Sequence, residues 1–142
     1  MTVQELMNPK VVTVEPTASA ALAARLLSRY NVGSLPVCTG DGRLRGIVTD
    51  RDIVLRCVAA EEDPAQTPVR DIMSRSPATL SPNDDIHKAA VIMSRHQVRR
   101  LPVVTEGRLC GIVSLADLAV NEKSDAQAAE ALSRISTNIS VR

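Results

Sequence analysis

The chain has 142 residues and a mass of 15.2 kDa, a size that suits one compact domain or two very small ones. With 44% hydrophobic and 23% charged residues it can bury a core, and an aromatic content of 1% makes that core aliphatic and excludes aromatic stacking platforms for single-stranded nucleic acid. A net charge of +1 is no electrostatic footprint for nucleic acid or a membrane surface, so neither partner is predicted.

The first residues and the cysteines indicate a compartment. No stretch approaches the roughly 20 apolar residues that cross a bilayer, and Glu5 stands where a secretory signal would carry lysines. An odd number of cysteines without a CxxC pair argues against both a disulfide framework and structural zinc: Cys38, Cys57 and Cys110. We expect a reduced, cytoplasmic protein without a metal site. His87 and His96 are interpreted as surface residues because their spacing does not place them on one helix face.

Two similar series of elements are predicted. The first consists of a short helix capped at Thr2, an extended stretch from Val11 to Val14, an amphipathic helix with Leu22, Leu26 and Leu27 on one face, strands at Leu35 to Cys38 and Leu44 to Val48, and a helix from near Asp50. The second consists of a helix opened by Thr67 and Pro68, a stretch from Ala78 to Leu80, a helix with Ile86, Ala90 and Met93 on one face, strands at Leu101 to Val104 and Leu109 to Val113, and a helix from near Leu115. The turns Gly40-Asp41-Gly42 and Glu106-Gly107 are hairpin signals. The predicted fold class is α/β (α+β), with the order β-α-β-β-α occurring twice.

The two series are a sequence duplication. At a shift of 66 residues Val3-Gln4-Glu5-Leu6-Met7 falls on Val69-Arg70-Asp71-Ile72-Met73, and beyond the turn, at a shift of 65, Gly46-Ile47-Val48 falls on Gly111-Ile112-Val113. A length change confined to a turn is typical of a real duplication. We therefore predict repeat 1 at residues 1–58, a solvated linker at 59–66, repeat 2 at 67–120 and a tail at 121–142. In the tail, Ser124 is placed to cap a helix with one apolar face made by Ala128, Leu132 and Ile135.

These motifs resemble the cystathionine-β-synthase (CBS) domain family. The resemblance rests on Gly46-Ile47-Val48-Thr49-Asp50-Arg51-Asp52, on Gly111-Ile112-Val113-Ser114-Leu115-Ala116-Asp117, on the two Leu-Pro-Val strands, and on Met7 and Met73 before each first strand. It covers residues 1 to about 120 and implies a tandem pair, or Bateman module, packed with pseudo-twofold symmetry. It also implies clefts that hold adenosyl ligands, and a homodimer.

Each Gly-Ile-Val strand leads into a hydroxyl followed three residues later by a carboxylate. Thr49 with Asp52, and Ser114 with Asp117, are each a helix-capping box, and the two roles of cap and ligand contact can coexist. The resemblance implies that the two carboxylates hold ribose hydroxyls.

The repeats differ most at Arg99-Arg100, which replaces Gly33-Ser34. Two forked guanidinium groups suit phosphate oxygens, while two solvated arginines are the structural alternative. In the family, basic residues here reach phosphates of a nucleotide whose ribose lies on the motif of the other repeat.

That pairing implies two clefts, of which the second has the sugar group but no phosphate cation. The first cleft is expected to contain Ile47, Thr49, Asp52, Ala78, Val98, Arg99, Arg100 and Pro102. The second is expected to contain Val12, Val32, Gly33, Ser34, Pro36, Ile112, Ser114 and Asp117. The apolar members of both sets would form slots for adenine, and each is also an ordinary core residue.

Two classes of function follow. One is a regulatory sensor that binds an adenine nucleotide and signals through its shape or through a protein partner, with AMP, ADP or ATP placed ahead of NAD or S-adenosylmethionine and no cofactor required. The other is a protein–protein interaction module that keeps the fold without a ligand. No enzyme is predicted, because the sequence offers no nucleophile with a base and no paired catalytic carboxylates.

Overall fold

The computed structural model describes residues 1–120 and 133–135. Its elements are α1 (Val3–Leu6), α2 (Ala20–Tyr30), β1 (Ser34–Cys38), β2 (Leu44–Thr49), α3 (Asp50–Ile53), a π-helical turn (Val54–Val58), a 3-10 turn (Val69–Asp71), β3 (Ser74–Arg75), α4 (Ile86–His96), β4 (Arg100–Thr105), β5 (Arg108–Ser114) and α5 (Leu115–Ala119). The predicted mixed α/β class is confirmed. No helix among the described residues is long and apolar enough to span a bilayer.

The chain forms two compact units that do not follow the order of the repeats. The continuous unit is Val12–Pro77, and the split unit combines Met1–Val11 with Ala78–Arg142. In the split unit α1 joins the second series of elements, where the Val3 amide donates to the Asp84 carbonyl at 2.8 Å and the Val3 side chain is fully buried. Each unit thus contains the opening turn of the other repeat.

The continuous unit has an antiparallel sheet in the order β1-β2-β3, covered on one face by α2. Its core is formed by Ala20, Ala23, Leu27, Leu35, Val37, Val48 and other aliphatic side chains. The prediction that Leu22 lies on the buried face is wrong, because Leu22 is 37% exposed and the buried face of α2 carries two alanines with Leu27. The predicted stretch ending at Val14 is reduced to one parallel bridge to Val37.

The split unit repeats this arrangement around the β4-β5 hairpin. Its core is formed by Val3, Leu101, Val103, Val113, Leu118 and the predicted apolar face of α4, which is confirmed at Ile86, Ala90 and Met93. The stretch ending at Leu80 again forms a single parallel bridge, here to Val103. The turn residues Glu106 and Gly107 both have positive φ, which matches the twist of a two-residue hairpin.

The connection between the two repeats packs against the continuous unit. Thr67 is buried, and its carbonyl accepts from the Ala20 amide at 2.8 Å, so this connection lies against the start of α2. The sequence predicted that Pro68 opens an α-helix. That prediction is wrong, because Pro68 precedes a 3-10 turn of three residues.

The predicted tail helix is described at one short stretch. Its residues Ser124, Ala128 and Leu132 lie outside the described residues. Residues 133–135 are helical, and Ile135 is buried in the split-unit core.

Candidate functional site

In the continuous unit, the β1-β2 hairpin places several predicted site residues on one face. Ser34 is paired with Thr49, and Pro36 with Ile47. Alternation along the strands sends these side chains to the face opposite the core residues Leu35, Val37 and Val48. A hydroxyl pair therefore lies beside a proline–isoleucine pair at the point where β2 runs into α3.

The split unit forms the matching face with different chemistry. Arg100 is paired with Ser114, and Pro102 with Ile112, opposite the core residues of the same two strands. The Leu115 amide donates to the Arg99 carbonyl at 2.7 Å, which fixes the arginine pair against the start of α5. The same bond in the continuous unit joins the Asp50 amide to the Gly33 carbonyl at 3.1 Å.

Both hydroxyl–carboxylate pairs form capping boxes. The Thr49 amide donates to Asp52 Oδ2 at 2.9 Å, and the Asp52 amide donates to Thr49 Oγ1 at 3.0 Å. In the split unit the Ser114 amide donates to Asp117 Oδ2 at 2.8 Å, and the Asp117 amide donates to Ser114 Oγ at 3.1 Å. The capping interpretation is confirmed. Each carboxylate keeps Oδ1 outside the box, and an ionised carboxylate has about four acceptor positions, so the cap leaves capacity for ligand hydroxyls.

The arginine pair lies with Ser114 and Asp117 in the split unit. Arg99 and Arg100 are exposed, and within the described part of the chain their guanidinium groups have no ion-pair or hydrogen-bond partner. Arg100 is thus the strand partner of Ser114, and the Arg99 carbonyl is bonded to the residue after Ser114, so both arginines lie next to the capping box of the same unit. The pairing of Arg99 and Arg100 with Thr49 and Asp52 involves both units and stays a prediction, as does that of Ser114 and Asp117 with Gly33 and Ser34.

The predicted apolar slots divide into two kinds of residue. Val12 and Val32 pack against the continuous-unit core, and Ala78 and Val98 against the split-unit core, so each is a half-buried residue at the edge of a core. Ile47 and Ile112 are half-buried on the opposite sheet faces, beside the buried Pro36 and Pro102. A proline–isoleucine pair is the apolar surface that each unit offers next to its capping box.

The glycine of each motif has a neighbour from its own unit. A Cβ on Gly46 would lie 2.5 Å from the Ser74 carbonyl oxygen and 2.9 Å from Met73 Sδ. A Cβ on Gly111 would lie 2.7 Å from Met7 Sδ and 3.1 Å from the Asn8 carbonyl oxygen. The close approach that these glycines permit is therefore made by a methionine and the following carbonyl, a role that the sequence analysis missed although both methionines recur at matching positions.

Arg56, like the two methionines, is a residue that the sequence analysis missed. Its Nε lies 4.0 Å from Asp52 Oδ1, and its Nη1 donates to the carbonyls of Ile72 at 3.1 Å and Met73 at 3.3 Å. The spacing of four residues between acid and base is the signal that would have found it.

The cysteines and histidines take no part in the hydrogen bonds of the two capping boxes. All three cysteines are free thiols; Cys38 and Cys57 are buried, and burial raises the pKa of the Cys38 thiol above its usual value. His87 and His96 are exposed, as predicted. Among the residues that the structure describes, no three His, Cys, Asp or Glu side chains are grouped as metal ligands would be.

The family model of the CBS domain matches the chain twice, at residues 3–58 and 69–121. The chain belongs to the CBS domain family. Among relatives, the CBS domain-containing protein YhcV of Bacillus subtilis is 44% identical over 134 residues, covering 94% of each chain. Hypoxic response protein 1 of Mycobacterium tuberculosis is 38% identical over 118 residues, covering 83% of this chain and 82% of its own.

Solved CBS structures share the fold. Hypoxic Response Protein I with two coordinated zinc ions has a TM-score of 0.78 at 37% identity, over 84% of this chain and 97% of its own. The CBS domain protein PAE2072 of Pyrobaculum aerophilum, complexed with AMP, has a TM-score of 0.77 at 31% identity, over 92% and 99%. The CBS domain pair of MJ0100, in complex with 5′-methylthioadenosine and S-adenosyl-L-methionine, has a TM-score of 0.73 at 27% identity, over 84% and 93%. The prediction of a tandem CBS pair is confirmed.

Proposed function

We propose that this CBS pair is a non-catalytic regulatory module that binds an adenine nucleotide and signals by a change of shape or of protein partner. The observation that carries the proposal is the split-unit surface on which Arg99 and Arg100 adjoin Ser114 and Asp117. A carboxylate oxygen outside the capping box suits ribose hydroxyls, and two exposed guanidinium groups suit phosphate oxygens. The AMP complex of PAE2072 and the two adenosyl ligands of MJ0100 support the same ligand class here.

The two units offer different chemistry to such a ligand. The continuous unit repeats the hydroxyl and the carboxylate at Thr49 and Asp52, but has Gly33 and Ser34 where the split unit has arginines. A nucleoside without phosphate is expected to lose little affinity on the continuous-unit surface, which has no arginines at these positions. A nucleotide is expected to gain affinity on the split-unit surface from charge-assisted contacts with the arginines. We accordingly place AMP, ADP or ATP ahead of uncharged adenosyl compounds on the split-unit surface.

The test compares AMP with adenosine by calorimetry. A charge-assisted hydrogen bond contributes about 1.5–3 kcal/mol, so Arg100→Ala or Arg99→Ala is expected to weaken AMP about ten- to a hundredfold. Adenosine, which has no phosphate, is expected to change less than about twofold in both variants. Arg95→Ala is the matched control, because Arg95 is an exposed arginine in the last turn of α4.

A double-mutant cycle locates the carboxylate that works with the arginines. Coupling of Arg100→Ala with Asp117→Asn, measured on AMP affinity, is expected if one ligand lies on the split-unit surface. Coupling with Asp52→Asn instead would support the pairing that the resemblance implies, in which Thr49 and Asp52 join Arg99 and Arg100.

The interaction module without a ligand is the second candidate. It is favoured by the apolar side chains that α2, the π-helical turn and α4 expose: Leu22, Val54, Leu55, Val58 and Val91. If AMP, ADP, ATP, NAD and S-adenosylmethionine all leave the melting temperature unchanged in a thermal-shift screen, this second function replaces the first.

The same exposed side chains support a homodimer, since a closed twofold interface would bury them. Light scattering at micromolar concentration is expected to give twice the 15.2 kDa chain mass, and a mass equal to one chain would contradict it. We place the protein in the cytoplasm, which the three free thiols support.

A further inference from the structure

Arg56 connects two parts of the continuous unit that the sequence separates. The end of its side chain faces Asp52 on one side and the carbonyls of Ile72 and Met73 on the other. The two carbonyls come directly before β3, and β3 is paired with β2 at Gly46 and Ile47. Asp52 in turn follows β2 by three residues and is fixed to it through the Thr49 amide. A closed path therefore runs from the carboxylate through Arg56 to β3, and from β3 back to β2.

The segment before β3 is tightly packed against β2. The Met73 side chain and the Ser74 carbonyl lie so close to Gly46 that a Cβ there would be 2.9 Å from the sulfur and 2.5 Å from the oxygen. A displacement of this segment is therefore transmitted to β2 instead of being absorbed by a loose contact.

The Asp52 carboxylate is largely buried, with 11% of its side chain exposed, and one of its oxygens is left outside the capping box. Asp52 Oδ2 is occupied by the capping box, while Oδ1 lies 4.0 Å from Arg56 Nε, beyond the 2.7–2.9 Å of a charge-assisted hydrogen bond. Oδ1 thus keeps acceptor capacity and stands in the field of a guanidinium group that is held by two carbonyls. The position that matches Arg56 in the second repeat is Asn121, which has no charge. The second repeat therefore carries no arginine at the position of Arg56.

We propose that Arg56 is a positioning residue that aims the Asp52 carboxylate at ribose hydroxyls and transmits ligand binding there to the segment before β3. The proposal rests on the proposed function and adds to it: besides the split-unit surface on which that function places the nucleotide, Asp52 of the continuous unit also takes the ribose of an adenosyl ligand such as AMP. Hydroxyl groups on Oδ1 hold the carboxylate still, the carboxylate holds the guanidinium group, and the guanidinium group holds the carbonyls of Ile72 and Met73. Binding is therefore expected to rigidify residues 72–76.

Hydrogen exchange by mass spectrometry, on peptides that cover residues 72–76, measures the link in the full chain. Without ligand, Arg56→Ala is expected to speed exchange about three- to tenfold, since the anchoring bonds come from a charged but half-exposed side chain. Arg51→Ala is the matched control: Arg51 is an exposed arginine of α3, which leads directly into the π-helical turn that carries Arg56, and no change beyond about twofold is expected. Equal effects of the two variants overturn the link.

Saturating AMP gives the regulatory readout. The wild type is expected to exchange about three- to tenfold more slowly in this segment when AMP is bound, and Arg56→Ala is expected to lose that protection. Because coupling is reciprocal, a ligand that rigidifies the segment binds its rigid form more tightly, so Arg56→Ala is expected to weaken AMP as well as to reduce the protection. Arg56→Lys keeps the charge but not the fork, so it is expected to restore part of the affinity and little of the protection.

Adenosine separates this proposal from the phosphate contacts. Arg56 acts through the ribose carboxylate, so Arg56→Ala is expected to weaken adenosine and AMP equally, unlike Arg99→Ala and Arg100→Ala. AMP binding without protection of residues 72–76 overturns the link and leaves the proposed function standing. If no adenosyl ligand binds the wild type, the proposed function fails, and ligand-responsive positioning by Arg56 fails with it. The ligand-free double-mutant cycle of Asp52→Asn with Arg56→Ala then shows whether the structural link itself is present, and additive effects would remove that as well.

Discussion

Replacing Gly46 by alanine forces a methyl carbon into a space that the continuous unit has already filled. The new carbon would lie 2.5 Å from the Ser74 carbonyl oxygen and 2.9 Å from Met73 Sδ. Comfortable contacts between non-bonded heavy atoms begin near 3.5 Å, so the oxygen is about 1 Å too close. That oxygen belongs to the backbone of β3, which is paired with β2 at this very residue, and relief requires the two strands to separate.

The matching change at Gly111 tests whether the backbone contact is what matters. A Cβ there would meet Met7 Sδ at 2.7 Å, and the nearest backbone atom, the Asn8 carbonyl oxygen, at 3.1 Å. A methionine side chain adapts by rotating, whereas a paired strand does not. Overpacking typically costs about 1–3 kcal/mol, so we expect about 3 kcal/mol or more for Gly46→Ala and about 1 kcal/mol for Gly111→Ala.

Urea unfolding of both variants measures these losses, with the slope of the transition as a check that the unfolded states are alike. Double-mutant cycles then assign the cause. Met7→Ala is expected to relieve most of the penalty of Gly111→Ala, because the clash is with that side chain. Met73→Ala is expected to relieve only a minor part of the penalty of Gly46→Ala, because the Ser74 oxygen remains. Equal destabilisation at the two glycines, or full relief by Met73→Ala, would refute the reasoning.

Three further changes test other parts of the described structure. Ile135→Ala removes most of a side chain that is buried in the split-unit core, and it is expected to lower the free energy of unfolding by about 2–4 kcal/mol. Limited proteolysis is the measurement, and the split unit is expected to be cleaved faster than the continuous unit. Burial raises the pKa of the Cys38 thiol, so its contribution to stability is present below the unfolded-state pKa of about 8.5 and is lost as the pH rises through the folded-state value; urea midpoints of the wild type and Cys38→Ala are expected to converge toward high pH. The hydrogen bond from Thr39 lowers the pKa of the exposed Asp41 carboxyl, so that bond favours the fold above a pH of about 3.9 and is lost as the pH falls through the folded-state pKa; an NMR titration of Thr39→Val is expected to show the Asp41 pKa rising, and an unchanged value would contradict the assignment.

The local elements could be predicted from the sequence because their causes are local. Asp52 and Asp117 form the capping boxes that their spacing from Thr49 and Ser114 indicates, since both partners lie within one turn of the chain. The hairpins followed from glycine-containing turns between apolar strands, and the duplication revealed each of them twice. The buried face of α4 was also predicted correctly, because its apolar residues recur with helical periodicity within one short segment. The prediction of the buried face of α2 was partly wrong, because it relied on three leucines, whereas the structure buries Ala20 and Ala23 together with Leu27.

The tertiary structure decided what depends on contacts between distant residues. The sequence carries no local signal that Val3 is buried with the second repeat, that Met73 and Met7 are the neighbours of the two motif glycines, or that a guanidinium group joins Asp52 to carbonyls some twenty residues further on. The tertiary structure also decided that Arg100 lies beside Ser114, because the register of β4 against β5 pairs these two residues. Hydrogen bonds within a turn depend on residues that are close together in the sequence. Side-chain packing and strand register depend on distant residues and are fixed only when the whole unit folds around its core.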